Sequence, residues 1–389
     1  MTCVFQAVFS LASYPMDIID NSIVIASDFI GSFLPRGLIK SLIVDGVLAG
    51  VGSVVIFVPQ IAILFLLIGI LEQSGYLCRA AVLMDAFMRR VGLQGRSFIP
   101  LLSSFACAIP GIMATRAIPS YSERLLTILI APLMSCSARL PVYTILISAC
   151  VPDTSFYFIS LRGIVLLTLY LLGIFSAFFV ALIFKLFVFK SKPGIFLMEL
   201  PRYKIPDIKG VLLEVKDRVF VFLKDAGTVI LACSILLWFL ASFPLDKVEE
   251  GGIKESYAGK VGQFMEPAIK PLGYNWEFGI ALITSFAARE VFVSTLATVY
   301  NLSDDSEDFK SLTTHLSNKV NNSEESGINL ASIFSLLVFY VFACQCMSTL
   351  AVCYRETASY FWPSFMFLYM TVLAYGSAYV TFKVTSFIL

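Results

Sequence analysis

Charged residues are scarce in this sequence. They make up 14% of its 389 residues, against about a quarter in ordinary soluble domains. Hydrophobic residues account for 58%, and apolar runs of roughly 20 residues recur, each long enough to cross a hydrocarbon core about 30 Å thick. The scarcity of charge therefore excludes an ordinary soluble domain, and the apolar runs predict an all-α, multi-pass transmembrane helical bundle.

Histidine and the motifs of common enzymes are also lacking. The one histidine, His315, lies in a polar stretch, which excludes imidazole chemistry inside the apolar segments. The chain contains no G-x-x-x-x-G-K-[ST], H-E-x-x-H, G-x-S-x-G or C-x-x-C motif, so we expect no enzyme activity, no catalytic residues and no nucleotide-binding site. A net charge of +1 gives no reason to expect nucleic acid as a partner.

The apolar segments are separated by loops of unequal charge. Loop 73–97 carries four arginines and loop 190–218 carries seven Lys or Arg residues, so both loops are expected in the cytoplasm. Three apolar segments lie between them, so one segment must enter and leave the membrane on the same side. The segment 98–116 is the shortest of the three and contains Pro110 and Gly111, which are expected to interrupt a helix. We predict that this segment forms the re-entrant hairpin. The apolar segments lie at 41–71, 98–115, 125–150, 160–189, 219–243, 278–300, 329–353 and 361–389.

An internal repeat supports the hairpin. The stretch LLSSFACAIPGIMAT (101–115) aligns with LITSFAAREVFVSTLAT (282–298), and each is preceded by one long apolar segment and followed by two. An odd number of full crossings inverts the second copy relative to the first, as in many transporters. The alternative is that the shared SFA tripeptide arises by chance. The expected organisation has four units. Residues 1–40 form a partial first transmembrane helix with an external segment, residues 41–189 a first repeat, and residues 190–218 a cytoplasmic basic linker. Residues 219–389 form a second repeat with polar loops at 244–277 and 301–328.

Three cysteines share a context of small and hydroxyl residues: Cys107 in SSFACAIPG, Cys136 in LMSCSARLP and Cys346 in CQCMSTLA. Sulfur ligands suit Cu(I), zinc and iron. We therefore predict that these three cysteines bind metal along a transport path, with Cys344 and Met113 as secondary ligands. Transport requires weak binding at several sites rather than a closed cage. The alternative for each cysteine is that of a small, packed apolar residue.

Ionisable side chains in apolar segments are costly to bury and are therefore functional candidates. Glu290, in the middle of segment 278–300, is the predicted carboxylate ligand of the metal. The alternative is that Glu290 and its neighbour Arg289 form a mutually neutralising structural pair. For Arg139 and Arg355 the alternative is snorkelling or pairing near a helix end. Structural or gating roles are predicted for Pro110, Gly111, Arg116, Arg139, Arg289, Arg355 and Glu356.

Several stretches, taken in order, resemble the membrane domain of the ferrous iron transport protein B (FeoB) family. They include RLLTILIAPLMSCSARLPVY, FLKDAGTVILACSILLWFL, FAAREVFVSTLATVY and CMSTLAVCYRET. The resemblance covers roughly residues 40–361. It extends to the broader Gate, or nucleoside-recognition, class of membrane modules, which implies that the two repeats are Gate-type repeats.

The resemblance implies transport of Fe²⁺ across the bacterial cytoplasmic (inner) membrane, along a path lined by Cys107, Cys136 and Cys346. Fe²⁺ is then the transported substrate, and no tightly bound cofactor is expected. Two positions depart from the family pattern. Arg289 stands where lysine is usual, and Gln345 stands where proline usually precedes the cysteine. The second departure leaves open whether the backbone breaks there.

The resemblance also bears on partners. Family members usually begin with a cytoplasmic G domain, whereas residues 1–15 resemble only the end of the transmembrane helix that follows it. The expected partners are a G domain supplied in trans or missing from this chain, a small SH3-like accessory protein, membrane lipid, and further copies of the chain in a homo-oligomer. Two other functions stay open: a Gate-type transporter of a nucleoside or other small solute, and a membrane scaffold.

Overall fold

The computed structural model describes most of the chain. Glu290, His315 and Gln345 lie outside the described residues, as does most of the polar loop 301–328, so the predictions made for Glu290 and Gln345 stay predictions. The described ranges are 2–33, 37–56, 58–105, 107–151, 155–156, 159–188, 203–243, 256–286, 289, 292–293, 295–296, 313–314, 316–317, 329–344 and 346–388.

The described residues of the first half of the chain are almost entirely helical. A π-helical turn at Leu42–Leu48 joins α2 to α3, and a short antiparallel ladder between α9 and α10 pairs Ser155 with Ser160 and Phe156 with Ile159. The helices are α1 Thr2–Phe33, α2 Leu38–Ser41, α3 Ala49–Val55, α4 Val58–Gln73, α5 Tyr76–Val91, α6 Phe98–Ser104, α7 Ala108–Ala114, α8 Tyr121–Ile130, α9 Leu140–Cys150 and α10 Leu161–Phe187, and the strands are β1 Ser155–Phe156 and β2 Ile159–Ser160.

The second half contains further long helices. The Asp207 side chain begins α11 by accepting hydrogen bonds from the backbone N–H groups of Lys209 and Gly210, which satisfies donors that have no partner inside the helix. The end of the predicted linker is therefore helical, and α12 lies within the predicted loop 244–277. The helices are α11 Ile208–Ser242, α12 Tyr257–Ile269, α13 Trp276–Thr284, α14 Leu330–Phe342, α15 Met347–Thr357 and α16 Phe361–Ile388.

Within the described ranges, four spans are long and apolar enough to cross a membrane: Tyr121–Cys150, Leu161–Phe187, Leu330–Thr357 and Phe361–Ile388. Helices α4 and α5 would together form a fifth, bent by 82°. Each of the four spans coincides with a predicted apolar segment. The predicted all-α, multi-pass architecture is thereby confirmed.

The first of these spans, α8 with α9, is broken in its middle. A 3₁₀ turn at Ala131–Leu133 follows α8, and the backbone is extended at Met134 and again at Cys136. Pro132 and Pro141 flank the break. Because proline has no N–H and its ring clashes with the preceding turn of a helix, local sequence is enough to interrupt this span.

The third span, α14 with α15, is broken at the corresponding place without a proline. Helix α14 ends at Phe342, and the backbone is extended at Ala343 and Cys346. The N–H of Met347, the first residue of α15, donates to the carbonyl of Phe286 at 3.2 Å. A contact between distant parts of the chain thus replaces a hydrogen bond that a continuous helix would make. The backbone therefore breaks at Cys346 although the family's usual proline is missing.

The predicted hairpin at 98–116 is present as two short helices, α6 and α7, packed against each other. Gly111 in α7 lies directly on α6. An added Cβ there would come 2.0 Å from Ser104 Oγ and 2.8 Å from the carbonyl oxygen of Pro100. Only a residue without a side chain lets the two arms approach this closely.

The two broken spans run in opposite directions. Glu356, near the end of α15, forms ion pairs with Arg116 and Arg124, which lie just before and at the start of α8. At the other end, α9 packs against α14. The start of each span therefore lies beside the end of the other, so these two spans are antiparallel. The inversion of the whole second repeat relative to the first stays a prediction.

Two segments differ from expectation. The stretch 73–97, expected as a loop, contains the amphipathic helix α5, because Leu77, Ala81, Asp85 and Met88 recur at helical spacing and are buried on one face. The external segment expected within 1–40 is helical as far as Phe33. In the first of these segments, Arg79, Arg89 and Arg90, which were counted as loop charges, lie within α5.

The core lies where α8, α9, α10, α14 and α16 meet. Helix α16 contributes Met366, Met370, Ala374 and Ala378, which recur every four residues and are all buried. Ser335 of α14 donates a hydrogen bond to the carbonyl of Ala378 at 2.9 Å. Small residues on this face let the two helices pack closely, as is usual between membrane helices.

We predict that Gly111→Ala destabilises the hairpin. The new Cβ would clash with a backbone carbonyl that cannot move aside, at a typical cost of about 1 to 3 kcal/mol. Thermal unfolding of the purified protein in detergent measures the effect. The matched control is Gly376→Ala in α16, where an added Cβ has no atom within 4 Å; equal melting temperatures for the two variants would contradict the prediction.

Candidate functional site

Three cysteines occupy equivalent positions at breaks in the helices. Cys107 directly precedes α7, Cys346 directly precedes α15, and Cys136 precedes the 3₁₀ turn Ser137–Arg139 that leads into α9. Each has an extended backbone, with φ, ψ of −154°, 136° for Cys107, −150°, 102° for Cys346 and −82°, 163° for Cys136. Every one of these thiols therefore lies at the start of a half-helix.

The structure brings these three cysteines into one region, which we call the thiol centre (Cys107, Cys136 and Cys346). Cys136 and Cys346 are both near enough to the Cys107 thiol to interact with it electrostatically. All three are free thiols and partly exposed. No three His, Cys, Asp or Glu side chains in the described ranges are arranged to hold a metal ion together. Their role as ligands stays a prediction.

Arg139 is fully buried beside the thiol centre and donates hydrogen bonds to backbone groups at the helix break that precedes it in the chain. Its Nη2 donates to the carbonyl of Pro132 at 3.1 Å, and its Nη1 lies 3.5 Å from the carbonyl of Met134 and 3.4 Å from Ser135 Oγ. These carbonyls are ones that a continuous helix would have satisfied. Arg139 is thus a cap for the end of α8, and its complete burial excludes snorkelling.

Arg289 joins the second repeat to the thiol centre. Its side chain is almost fully buried, with 6% exposure. Its Nη1 donates to Cys136 Sγ at 3.6 Å. Cys344 and Cys346 are also close enough to act on its charge. A fixed positive charge therefore stands among the cysteines that the sequence predicted as ligands for a cation.

Glu356 holds the two repeats together at the end of α15. Its carboxylate accepts from Arg116 Nη2 at 2.6 Å and from Arg124 Nη2 at 2.5 Å, and its side chain is only 3% exposed. Arg116 and Glu356 had been predicted as structural or gating residues. Sequence reasoning missed Arg124, because nothing in the pattern of a first helical turn indicates a partner 232 residues away.

A cavity of about 150 Å³ lies next to this ion-pair cluster, lined by Met113, Arg116, Val221, Val352, Arg355 and Glu356. A smaller space of about 20 Å³, room for about one water molecule, shares three of these residues and extends to Ile109 and Pro110. Because α7 runs from Cys107 past Pro110 to Met113, the two spaces follow this helix away from the thiol centre. They lie toward the side that the loop charges assign to the cytoplasm.

The remaining predicted residues are placed as follows. Cys344 is 2% exposed and packs in the hydrophobic core, while remaining near Cys346 and Arg289. Arg355 lines the larger cavity. Pro110 and Gly111 lie inside α7, and the chain breaks before them, where α6 ends at Ser104 and α7 begins at Ala108. The prediction that Pro110 and Gly111 interrupt the segment is therefore wrong, because a proline in the first turn of a helix does not break it. Glu290 lies outside the described residues. The structure thus gathers the cysteines and Arg289 in one region and Met113, Arg116, Arg355 and Glu356 in another.

These features define a multi-pass membrane protein in which two antiparallel, broken helices and a helical hairpin meet at a set of thiols. The Gate family profile, described as nucleoside recognition, matches residues 54–149 and 223–360. The profile for the ferrous iron transport protein B C terminus matches residues 166–218. The chain belongs to the ferrous iron transport protein B family, as a Gate-type membrane part of it.

Relatives from several bacteria are similar along the whole chain. The Fe(2+) transporter FeoB of Leptospira interrogans serogroup Icterohaemorrhagiae serovar copenhageni is 47% identical over 99% of this chain and 56% of its own length. The Fe(2+) transporter FeoB of Campylobacter jejuni is 33% identical over 100% of this chain and 62% of its own length. In Porphyromonas gingivalis, a Fe(2+) transport protein A/Fe(2+) transporter FeoB fusion protein is 36% identical over 99% of this chain and 49% of its own length. The chain thus spans about half the length of these relatives.

We predict that Arg139→Met lowers the free energy of unfolding by about 2 to 3 kcal/mol, because it removes hydrogen bonds from a charged group and leaves buried carbonyls unsatisfied. Equilibrium unfolding in detergent measures the loss. The matched control is Arg90→Met on the exposed face of α5, for which a change within about 0.5 kcal/mol is expected. Indistinguishable values for the two variants would show that Arg139 does not support the break.

We predict that Glu356 and Arg124 are energetically coupled. A double-mutant cycle with Glu356→Gln and Arg124→Met should give a coupling energy of about 1 to 3 kcal/mol, because the carboxylate is buried between the repeats. The pair Glu214–Arg218, whose side chains are 41% and 34% exposed, provides the control, with an expected coupling below about 0.5 kcal/mol. Additive effects in the first cycle would exclude an inter-repeat ion pair that stabilises the fold.

Proposed function

We propose that this chain is the permease part of a ferrous iron importer in the bacterial cytoplasmic membrane. The observation that carries the proposal is the convergence of Cys107, Cys136 and Cys346, each at the start of a half-helix, in one region of a bundle built from antiparallel broken spans. Half-helices that meet at membrane depth are a common location for transport sites. The names of the relatives support Fe²⁺ as the substrate.

The chemistry of the thiol centre suits this substrate. Fe²⁺ is a borderline ion that accepts sulfur as well as nitrogen and oxygen ligands, whereas an oxygen-rich site would favour magnesium or calcium. Ser348, the second residue of α15, is buried, and its Oγ has no hydrogen-bond partner within the described part of the chain. It offers an oxygen donor near Cys346. Glu290 is proposed as the carboxylate ligand on the strength of the sequence alone.

The cavities support a path from the thiol centre toward the cytoplasm. An ion leaving Cys107 along α7 would pass Pro110 and reach Met113, whose thioether is a second soft ligand. It would then enter the larger cavity beside Glu356. Several weak sites in series are what conduction requires, because an ion that binds tightly at one site does not leave it.

The rival functions fit the described centre less well. A site for a nucleoside needs amide and hydroxyl groups to bind the base and sugar, yet Gln60 and Gln345 are the notable amides in the apolar segments. The centre instead presents thiols and a guanidinium group. A membrane scaffold has no use for a charge buried among thiols, so measurements of transport distinguish it.

The partners of this chain are also part of the proposal. A G domain, in trans or in a longer form of this protein, would drive or regulate transport. An accessory protein gains support from the Porphyromonas gingivalis relative, whose name joins Fe(2+) transport protein A to the transporter in a single chain. Assembly into a homo-oligomer and contact with membrane lipid complete the proposed setting.

We predict that Cys107→Ser together with Cys136→Ser lowers Fe²⁺ uptake at least roughly tenfold, a loss that corresponds to only about 1.4 kcal/mol in the barrier. Serine keeps the size of the side chain but removes the soft ligand. Uptake is measured in cells lacking their own importer, with the chain expressed alone and with a G domain in trans.

The matched control for this measurement is Cys78→Ser. Cys78 is a free thiol on α5, outside the thiol centre, so this variant should transport as the wild type does. Unchanged uptake by the double variant would remove the cysteines from the path. No Fe²⁺ uptake by the wild type, with or without the G domain, would contradict the proposed function as a whole.

A further inference from the structure

The contact between Arg289 and Cys136 places a permanent cation at the proposed ion site. The guanidinium group of arginine does not lose its proton in proteins, and Arg289 is almost fully buried. It donates to Cys136 Sγ at 3.6 Å and interacts with Cys346 and Cys344 as well. Its charge is thus within reach of at least two cysteines of the proposed path.

The second buried arginine of this region has a different use. Arg139 donates to the carbonyls of Pro132 and Met134, whereas Nη1 of Arg289 donates to a sulfur atom, Cys136 Sγ. The positive charges of Arg139 and Arg289 are close enough to interact. The region therefore contains two buried positive charges. The positive charge of the two arginines therefore repels a transported cation at the thiol centre. If the thiols bind that cation, the presence of Arg289 needs an explanation.

A competing cation provides that explanation. A metal ion binds cysteine through a lone pair on its sulfur atom, and the Arg289 guanidinium group that donates to Cys136 Sγ at 3.6 Å occupies that sulfur and repels a second cation. The guanidinium group must therefore move away for the metal to bind. When the ion leaves, the guanidinium group can return and satisfy the sulfur again. Such a side chain weakens binding without removing a ligand, and weak binding is what conduction needs.

We propose that Arg289 is a tethered counter-cation of the thiol centre, which is displaced when the transported ion binds to Cys136 and returns when the ion leaves. This inference rests on the proposed function. In this proposal, Arg289 sets the affinity of the thiol centre for the transported ion. Arg289 is accordingly a positioning residue that acts through Cys136 rather than a ligand.

The test uses Co²⁺ as a spectroscopic substitute for Fe²⁺, because thiolate ligands give Co²⁺ an intense charge-transfer absorption. Arg289→Gln in the full chain should bind Co²⁺ at least about tenfold more tightly, since it removes a unit charge a few ångströms from the ion. The same variant should release the ion more slowly and transport less. Arg289→Lys keeps the charge and should stay close to the wild-type affinity, and Arg90→Gln on α5 is the matched surface control.

Several outcomes would overturn the inference. If Arg289→Gln leaves the Co²⁺ affinity unchanged while Cys136→Ser abolishes the absorption, the thiol site stands and the role of Arg289 falls. If neither the wild type nor Arg289→Gln shows thiol-dependent absorption, the thiol path of the proposed function falls and the inference with it.

A second measurement does not depend on the folding of any variant. The structure of the wild-type protein is determined with Cd²⁺ bound at the thiol centre, since Cd²⁺ is a soft ion that resides on thiolates. The Arg289 guanidinium group should then lie beyond hydrogen-bond distance of Cys136 Sγ. A guanidinium group that keeps this contact while Cd²⁺ is bound to the same sulfur would overturn the proposal.

Discussion

The structure depends on how it satisfies backbone groups where helices break inside the bundle. No water in a hydrocarbon core replaces a missing helical hydrogen bond, so broken backbone is tolerated only where protein groups supply partners. In the first broken span the supplier is Arg139, whose guanidinium group binds the carbonyls of Pro132 and Met134. In the second it is Phe286, whose carbonyl accepts from Met347.

The same breaks create the functional region. An extended residue between two half-helices turns its side chain away from the helical surface, and at three such places that residue is a cysteine. The antiparallel arrangement brings breaks from both repeats together, and Arg289 and Glu356 connect the repeats at two levels, one at the thiol centre and the other at the mouth of the cavity. The proposed path runs between these two connections.

Much of the fold was accessible from the sequence because it follows from local rules. Loop charges and the parity of crossings predicted the hairpin, but its break lies between Ser104 and Ala108 and not at Pro110 and Gly111, which are inside α7. The break at Cys136 was not predicted, since 125–150 was expected as one continuous crossing, although its flanking prolines Pro132 and Pro141 indicate it. The break at Cys346 was open, because a contact with Phe286 and not a proline accompanies it. Helix α5 was mistaken for a loop because its arginines were counted as loop charges, while the spacing of its buried face was not considered.

By itself the sequence determined the class of protein, the positions of the long apolar spans, the hairpin and the identity of the cysteines, because composition, charge and proline act over short distances along the chain. Only the tertiary structure decided which of these residues meet. The pairing of Arg289 with Cys136, of Arg124 with Glu356, and of Arg139 with the end of α8 depends on the crossing of helices that are inverted relative to each other. For that reason Arg289 and Cys136, 153 residues apart, and Arg124 and Glu356, 232 residues apart, become neighbours. No local sequence pattern indicates these contacts.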